Sequence, residues 1–277
     1  MRAGALILVF LLAAMLLAPL TLPDPEALDL MARLEPLSLA HPLGTDELGR
    51  DIAARLLQGG RVSLGVAAIT AILAGLIGTC IGLVAGYHGG WTDSVLMRLT
   101  DGVMALPLLP LLIVLAAADP AKLGVPPEIL DSEGFAIARL AVIIGCVGWT
   151  GVARLVRAGT LSVRSRDFVR AALALGASPG RIMLRHILPN VASPIIVATT
   201  LSVGNIILIE SALSFLGLGI RPPLASWGNM LTGAMDVVWN SPSLAFWPGL
   251  AIFLTVLAFN LVGDGMQKRF DPKRVSD

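Results

Sequence analysis

Long uncharged stretches recur along the amino-acid sequence, separated by shorter segments that carry most of the charge. A helix needs about 20 mostly apolar residues to cross the hydrocarbon layer of a bilayer. Three uncharged runs meet this length directly: 21 residues at 3–23, 26 residues at 62–87 and 27 residues at 237–263. Each of these runs predicts a membrane-spanning helix.

Two further spans are predicted from less regular stretches. One covers 102–118 and holds Pro107 and Pro110, which predict a kink whose freed backbone groups neighbouring helices must satisfy. The other covers about 135–153, with Arg139 near one end, where its long side chain can reach the membrane interface.

The remaining span is predicted at about 189–216, with Glu210 inside it. The sequence therefore predicts an all-α, polytopic membrane protein with six transmembrane helices. For the first apolar run, a cleaved signal peptide is the alternative. The single Arg2, the length of the run and the lack of a clear A-x-A site argue against that alternative.

The composition supports a membrane location. Only 14% of the 277 residues are charged and 56% are hydrophobic, whereas about 25% of an average soluble domain is charged. A formal net charge of +1 gives no electrostatic support for a nucleic-acid partner. Cys80 and Cys146 stand singly in apolar runs, so we interpret them as small buried hydrophobes, not as a disulfide or a metal pair.

The distribution of Lys and Arg predicts the orientation in the cell membrane. Six spans place both termini on the same side as the loop between the fourth and fifth spans. That side carries 13 basic and 6 acidic residues, whereas the other face, formed by the segments at 24–61, 119–133 and 217–236 together with Arg139, carries 7 basic and 12 acidic residues. Both termini and the arginine-rich loop are therefore predicted to be cytoplasmic.

Two spans carry small residues at helical spacing, which is typical of helices that pack closely. The first stripe repeats every fourth residue and the second every third: Gly78, Gly82 and Gly86, then Gly145, Gly148 and Gly151. We interpret both stripes as packing faces without chemistry.

No catalytic site is recognisable in the sequence. The three lysines, Lys122, Lys268 and Lys273, do not follow a G-x-x-x-x-G-K-[ST] loop, so the chain is not expected to bind ATP in that way. None of the three histidines neighbours a second metal ligand. The chain is therefore predicted not to be an enzyme and to bind no metal or cofactor of its own.

Glu210 is the one ionisable side chain that the pattern places convincingly inside a span. A charged residue near the bilayer centre costs about 2.5–3.5 kcal/mol on insertion scales, so it must face protein or water. Glu210 is thus either a candidate for the translocation path or a structural acid hydrogen-bonded to a neighbouring helix. An ion-coupled carrier would ask for more such groups, which makes it the weaker hypothesis.

The loop between the fourth and fifth spans carries the most specific pattern. Asp167 is predicted to cap a short helix over 168–175, and Gly176 suits the left-handed conformation that follows a helix. A helix of about eight residues is too short to be stable alone. It needs a surface to pack against, and seating in a groove is a common way for such a helix to join two proteins.

A second helix is predicted directly after this glycine corner. Ser178 would cap it, with Pro179 in its first turn and Pro189 at its end. The predicted arrangement is therefore a helix, a glycine corner and a second helix on the cytoplasmic side.

This loop resembles the coupling loop of ABC-importer permeases, whose pattern is E-A-A-x3-G-x9-I-x-L-P. The matching residues stand at the right spacing: Ala171, Ala172, Gly176, Leu188 and Pro189. Arg170 replaces the family's Glu, and His186 replaces its Ile. The first departure affects a salt bridge that a glutamate would make with the ATPase, whereas the helix–glycine–helix geometry is retained.

Three other parts of the chain are similar to the same family. They are H-P-L-G-T-D-E-L-G-R-D at 41–51 with G-R-V-S-L-G at 60–65, E-S-A-L-S-F-L-G-L-G at 210–219 with S-W-G-N-M at 226–230, and W-P-G at 247–249 with N-L-V-G-D-G at 260–265. The likeness covers about 40–272 and points to C-subunit-type permeases of the dipeptide, oligopeptide and nickel group. The segment before the first span is shorter than in that family.

The resemblance implies the type I ABC-importer transmembrane fold. Its parts would be a first transmembrane helix at 1–23, an external linker at 24–61, a five-helix domain at 62–267 with the coupling loop at about 161–190, and a cytoplasmic tail at 268–277. The implied partners are a homologous second permease, two ATPase subunits that bind ATP and Mg²⁺, and an extracytoplasmic solute-binding protein.

The resemblance also implies roles for particular residues. The loop would dock in a groove of an ATPase subunit through Asp167, Phe168, Ala171, Ala172, Gly176, Leu188 and Pro189. Glu210 and the outer loop after it would lie near the pore or its external gate. Trp227 and Trp247 are interpreted instead as aromatic anchors at the interface. The segment 41–51 either contacts a partner protein or forms a structural turn.

The expected function is that of a permease subunit in an ATP-driven importer of dipeptides, oligopeptides or similar solutes, forming half of the translocation path. A nickel or glutathione importer is the alternative, because selectivity in such systems largely resides in the binding protein. A non-transporting scaffold is compatible with the composition but leaves the loop unexplained.

Overall fold

The computed structural model describes residues 1–130 and 132–270, most of which are helical. The described residues form twelve α-helices: α1 (Arg2–Thr21), α2 (Ile52–His88), α3 (Gly90–Ala105), α4 (Leu108–Ala117), α5 (Pro127–Leu130), α6 (Glu133–Gly148), α7 (Thr150–Arg164), α8 (Asp167–Ala174), α9 (Pro179–Ile182), α10 (Leu188–Phe215), α11 (Trp227–Met235) and α12 (Ser243–Phe270). A π-helical turn, Met183–Ile187, joins α9 to α10. Most of the tail predicted at 268–277 lies outside the described residues.

Within the described ranges, four stretches are long and apolar enough to cross a membrane as unbroken helix: α1, α2, the run Pro179–Phe215 that includes α9 and α10, and α12. Two bent pairs qualify when joined, α3 with α4 and α6 with α7, which gives up to six spans. The bend is 88° in the first pair and 46° in the second. The predicted all-α, multispan architecture is confirmed.

The break between α3 and α4 falls at Leu106 and Pro107, so the kink predicted for this span is a complete interruption of the helix. Proline has no N–H and cannot continue the backbone ladder. Arg139 of α6 donates from Nη2 to the carbonyls of Ala116 at 2.5 Å and Ala118 at 2.8 Å. Its side chain therefore satisfies carbonyls at the end of α4, where the sequence analysis expected it to reach for the interface.

The helix α2 begins at Ile52, well before the predicted span start at residue 62, and takes in the end of the predicted external linker. Asp51 is its N-cap and accepts a hydrogen bond from the backbone N–H of Ala54 at 2.8 Å. The same carboxylate lies 2.9 Å from Nδ1 of His41. Between these two residues, Gly44 has a φ of +84°. The segment 41–51 thus forms a structural turn that leads into α2.

Close contact between α2 and α7 organises the part of the fold next to the loop between α7 and α10. A Cβ added at Gly78 would lie 2.6 Å from the carbonyl oxygen of Trp149, and one at Gly82 would lie 2.6 Å from that of Ala153. At Gly86 a Cβ would lie 2.7 Å from the Cβ of Thr160. The first glycine stripe is therefore a packing face, as predicted, and its missing side chains let the two backbones approach.

The second predicted stripe packs less closely. A Cβ on Gly145 or Gly148 would meet its nearest neighbour at 3.6 Å, an ordinary contact, and one on Gly151 would meet nothing within 4 Å. The interpretation of both cysteines as buried was wrong, because Cys80 and Cys146 are exposed on the surface of this single chain. In a membrane protein an apolar outer surface is compatible with lipid contact, so apolarity alone does not indicate burial in the protein.

Two apolar clusters divide the core. The larger one surrounds Trp227 and joins α2, α6, α10 and α12. The second, which we call the inner cluster, joins α2, α7 and α10 to the loop between α7 and α10; its buried members are Leu83, Tyr87, Val152, Val156, Val163, Val169, Ile182, Ile187 and Val191. This cluster provides the base on which the predicted coupling loop rests.

We predict that Gly82→Ala lowers the free energy of unfolding by about 1–3 kcal/mol, since the new methyl group would overlap backbone atoms of α7. Gly65→Ala is the matched control in the same helix, because a Cβ there meets nothing within 4 Å. We expect it to be neutral or slightly stabilising. Thermal unfolding in detergent measures both, and equal effects would contradict the packing interpretation.

Candidate functional site

The first half of the predicted coupling loop is the short helix α8 and its glycine corner. The helix spans Asp167–Ala174, with Arg166 as N-cap. The prediction that Asp167 caps this helix was wrong by one residue, since Asp167 is the first helical residue. The prediction for Gly176 is confirmed: its φ is +78°, and its N–H bonds to the carbonyl of Leu173 at 2.9 Å.

The second half of the loop continues directly into a membrane span. Ser178 is the N-cap of α9 and Pro179 stands in its first turn, as predicted, although the Ser178 side chain makes no capping hydrogen bond. The prediction that Pro189 ends this helix was wrong, because Pro189 lies in the first turn of α10. Proline would clash with the carbonyl four residues earlier in a regular helix, and the preceding turn is widened to π-helix, with the Leu188 N–H bonded to the Met183 carbonyl.

One face of the loop is fastened to the membrane helices. Val169 of α8, Ile182 of α9 and Ile187 of the π turn are each 0% exposed, and all belong to the inner cluster. They pack with Val163 at the end of α7 and with Val191 at the start of α10. The loop is therefore held against three spans by side-chain packing.

The opposite face of the loop is apolar, basic and open. Leu175 is 88% exposed and Leu184 is 62% exposed, with Phe168 and Leu173 also outward. The exposed arginines of the loop are Arg166, Arg170, Arg181 and Arg185. We call this surface, with its apolar and arginine side chains, the outer face of the loop. It combines uncovered apolar side chains with positive charge, which suits contact with another protein.

The sequence-predicted site residues are distributed over both faces. Asp167, Ala171 and Pro189 are exposed, whereas Ala172 and Leu188 are half-buried. Within the described residues, no group of three or more His, Cys, Asp or Glu side chains is placed to hold a metal ion.

Glu210 lies in a different part of the fold, inside α10 and 0% exposed. Ser214 donates a hydrogen bond to its Oε1 at 2.8 Å, and the Ser211 hydroxyl lies 3.4 Å from Oε2. The hydroxyls of Ser63 in α2 and Ser226 before α11 also bond to this carboxylate. Its partners come from α10, another helix and the outer loop, which is the arrangement expected of a structural acid.

The same cluster holds the outer loop that follows α10. The Ser214 hydroxyl accepts from the backbone N–H of Ile220 at 3.0 Å, and Ser63 accepts from that of Trp227 at 3.3 Å. The interpretation of Trp227 as an interfacial anchor was wrong. It is 1% exposed, and its Nε1 donates to the carbonyl of Leu56 at 2.9 Å. Trp247 is half-buried and packs in a small external cluster with Ile52.

Neither the distant partners of Glu210 nor the acids that pair with arginines of α7 were predicted from the sequence. Ser63 and Ser226 are far from Glu210 along the chain, so no local pattern signals their approach. Asp93 and Asp101 lie in α3, where they pair with Arg157 and Arg154. The available signal was charge inside an otherwise apolar region, since such residues are usually paired.

A model of the family described as "Binding-protein-dependent transport system inner membrane component" matches residues 78–276. The chain belongs to this family. The matched range includes the glycine stripe of α2, the glycine corner at Gly176 and the continuous helix at Pro189.

Several bacterial permeases of this family are similar over most of the chain. A Brucella suis protein named as a peptide permease is 41% identical over 98% of this chain and 86% of its own length. A nickel transport system permease protein of Escherichia coli is 38% identical over 99% of this chain and 94% of its own length. A glutathione transport system permease protein of Pectobacterium atrosepticum is 40% identical over 85% of this chain and 74% of its own length. These relatives confirm the predicted dipeptide, oligopeptide and nickel group of ABC permeases.

Solved structures confirm the fold. A chain of the MetNI methionine ABC transporter, solved in inward-facing conformations, superposes on this chain with a TM-score of 0.58 at 18% sequence identity. The superposition covers 77% of this chain and 95% of the transporter chain. A chain of an amino acid ABC transporter solved with histidines gives a TM-score of 0.56 at 17% sequence identity. That superposition covers 78% of this chain and 94% of the transporter chain. The chain has the type I ABC-importer transmembrane fold.

We predict that Glu210→Ala lowers the free energy of unfolding by about 1–3 kcal/mol, because it leaves buried serine hydroxyls without their acceptor. Glu210→Gln is the matched control, since its amide can accept and donate in the same cluster. Thermal unfolding in detergent compares them. A Glu210→Ala chain as stable as the wild type would contradict the structural interpretation.

Proposed function

We propose that the chain is one of two membrane subunits of an ATP-driven importer of dipeptides, oligopeptides or similar small solutes. A homologous permease subunit would complete the translocation path. Two ATPase subunits would bind ATP and Mg²⁺, and an extracytoplasmic binding protein would deliver the solute. The observation that carries this proposal is the two-faced loop, packed onto three spans on one side and open on the other.

The substrate class rests on the relatives. The Brucella suis relative is named for peptides, whereas the nickel and glutathione permeases match this chain nearly as well. Peptide import is therefore the first proposal, and import of nickel or glutathione is the alternative within the same family.

The loop would act as the mechanical link between ATPase and membrane path. ATP binding closes the ATPase pair, which favours one of two arrangements of the permeases. The inner cluster carries the loop's displacement into α2, α7 and α10, because interlocked side chains transmit strain rather than absorb it. Asp167, Phe168, Ala171, Ala172, Gly176, Leu188 and Pro189 belong to this link.

The charge of the outer face indicates its orientation and its partner. Arg166, Arg170, Arg181 and Arg185 support a cytoplasmic position for the loop and for both termini, because cytoplasmic loops carry an excess of Lys and Arg. Arg170 is exposed at the position where the family pattern has Glu. The ATPase groove that receives this loop would therefore carry acidic residues, since complementary charge selects partners.

We predict that Gly176→Val uncouples ATP hydrolysis from import. A β-branched residue is strained at a φ of +78°, by about 1–2 kcal/mol or more, so the corner must rearrange. Gly180→Val is the matched control, because both glycines have open space around them and only Gly176 has a positive φ. Import and ATP hydrolysis are measured in liposomes holding the complete complex. Wild-type import by the Gly176→Val complex would contradict the coupling role.

We also expect a cysteine at Leu175 to crosslink to an ATPase subunit in whole cells, in a background of Cys80→Ala and Cys146→Ala. Leu175 is 88% exposed on the outer face. Val169→Cys is the control, because Val169 is 0% exposed on the face that packs against the spans. Absence of any crosslink from the Leu175 position, or labelling of that position from outside the cell, would overturn the proposed function.

A further inference from the structure

The helix α7, which leads into the coupling loop, has two opposed faces. Its buried side chains, among them Val152, Val156 and Thr160, face the glycine stripe of α2. On another face stand three arginines at helical spacing: Arg154, Arg157 and Arg164. All three reach toward α3 or toward the corner between α2 and α3.

The strongest of these contacts joins Arg157 to Asp93 in the first turn of α3. Nε of Arg157 lies 2.5 Å from Oδ1 of Asp93, and Nη2 lies 2.6 Å from Oδ2, which is a bidentate ion pair. The two side chains are 33% and 16% exposed. Partial burial shields the pair from water, so it is screened less than a surface pair.

Two flanking contacts are weaker. Arg154 pairs with Asp101 through a single hydrogen bond, with side chains 48% and 58% exposed, and such exposed pairs contribute little. Arg164 stacks 5.8 Å from the ring centroid of Tyr87 at the end of α2. The Arg157–Asp93 pair is therefore the main polar connection between α7 and α3.

Apolar packing holds α3 only lightly. Thr100 is its one buried residue. At its start, Gly89 has a φ of +67° and separates it from α2, and at its end the chain turns by 88° into α4. Because the chain turns sharply at both ends of α3 and the helix has little buried surface, an ion pair can decide how it is placed.

On the other side, α7 is firmly connected to the coupling loop. Only Ser165 and Arg166 separate it from α8. Val163 of α7 and Val169 of α8 pack in the inner cluster. A displacement of the loop is thus a displacement of α7.

We propose that the Arg157–Asp93 ion pair is a positioning element that carries movement of the coupling loop to the broken span formed by α3 and α4. This inference rests on the proposed coupling function. As α7 shifts, the bidentate pair holds the start of α3, and the break at Pro107 converts that shift into a rotation of α4. Neither residue would contact solute or ATP.

The experiment follows α4 directly, in the complete complex of both permeases and both ATPases. A single cysteine replaces Val114, which is 69% exposed on α4, in the background without Cys80 and Cys146. Its rate of reaction with a maleimide is compared with and without ATP and vanadate. We expect the nucleotide to change this rate in the wild-type pair by roughly fivefold or more, the lower range of allosteric couplings.

Three variants test the pair itself. We expect Arg157→Glu to abolish the effect of the nucleotide on the maleimide reaction rate at position 114. Asp93→Arg combined with Arg157→Glu should restore that effect, because the ion pair re-forms with its two charges exchanged. Arg98→Glu is the matched control, because it makes the same charge change at an exposed position of α3 and leaves the change intact. Crosslinking at Leu175 confirms in each variant that the loop still docks.

The outcomes separate this inference from the proposed function. The inference is overturned if ATP and vanadate do not change the maleimide reaction rate at position 114 in the chain with the native pair. It is also overturned if Arg157→Glu leaves that change in rate unaltered. In both cases the crosslink at Leu175 must show that the loop still docks. Failure of the charge swap to restore the change, in a complex that still assembles, overturns it as well, because the pair is then only structural. Loss of the Leu175 crosslink in the wild-type chain overturns the proposed function.

Discussion

The close contact of α2 with α7 is the constraint on which the loop-bearing half of this protein depends. Three glycines allow the two backbones to approach until ordinary side chains would overlap. In a bilayer, where apolar burial gives helices little reason to associate, such close packing is the main attraction between them. It also brings Leu83 and Tyr87 of α2 beside Val156 and Val163 of α7, which forms the base for the loop.

That base explains how a loop of very short helices keeps one conformation. α8 has eight residues and α9 has four, too few for either to be stable alone. Each contributes one fully buried aliphatic side chain, Val169 and Ile182, to an existing cluster. The rest of the loop surface is then free to carry exposed leucines and arginines, which the fold itself does not require.

Features that depend on length and local chemistry could be predicted from the sequence, and features that depend on distant contacts could not. Uncharged runs located the spans, and Gly176 located the corner, because both are local properties. The position of Trp227 was wrong, since its burial requires the outer loop to fold back onto α2. The approach of Ser63 to Glu210 and the pairing of Asp93 with Arg157 likewise join residues that are far apart in the chain.

The π turn before Pro189 lets the loop run into the membrane span as one continuous helix. A π turn accommodates one residue more than an α turn, and the wider turn keeps the proline ring clear of the carbonyl four positions earlier. Deleting a single residue from Met183–Ile187 would convert the turn to regular α-helix and restore that clash, so the connection between loop and span would kink or break. The length of this turn is therefore as constrained as the interior of a span.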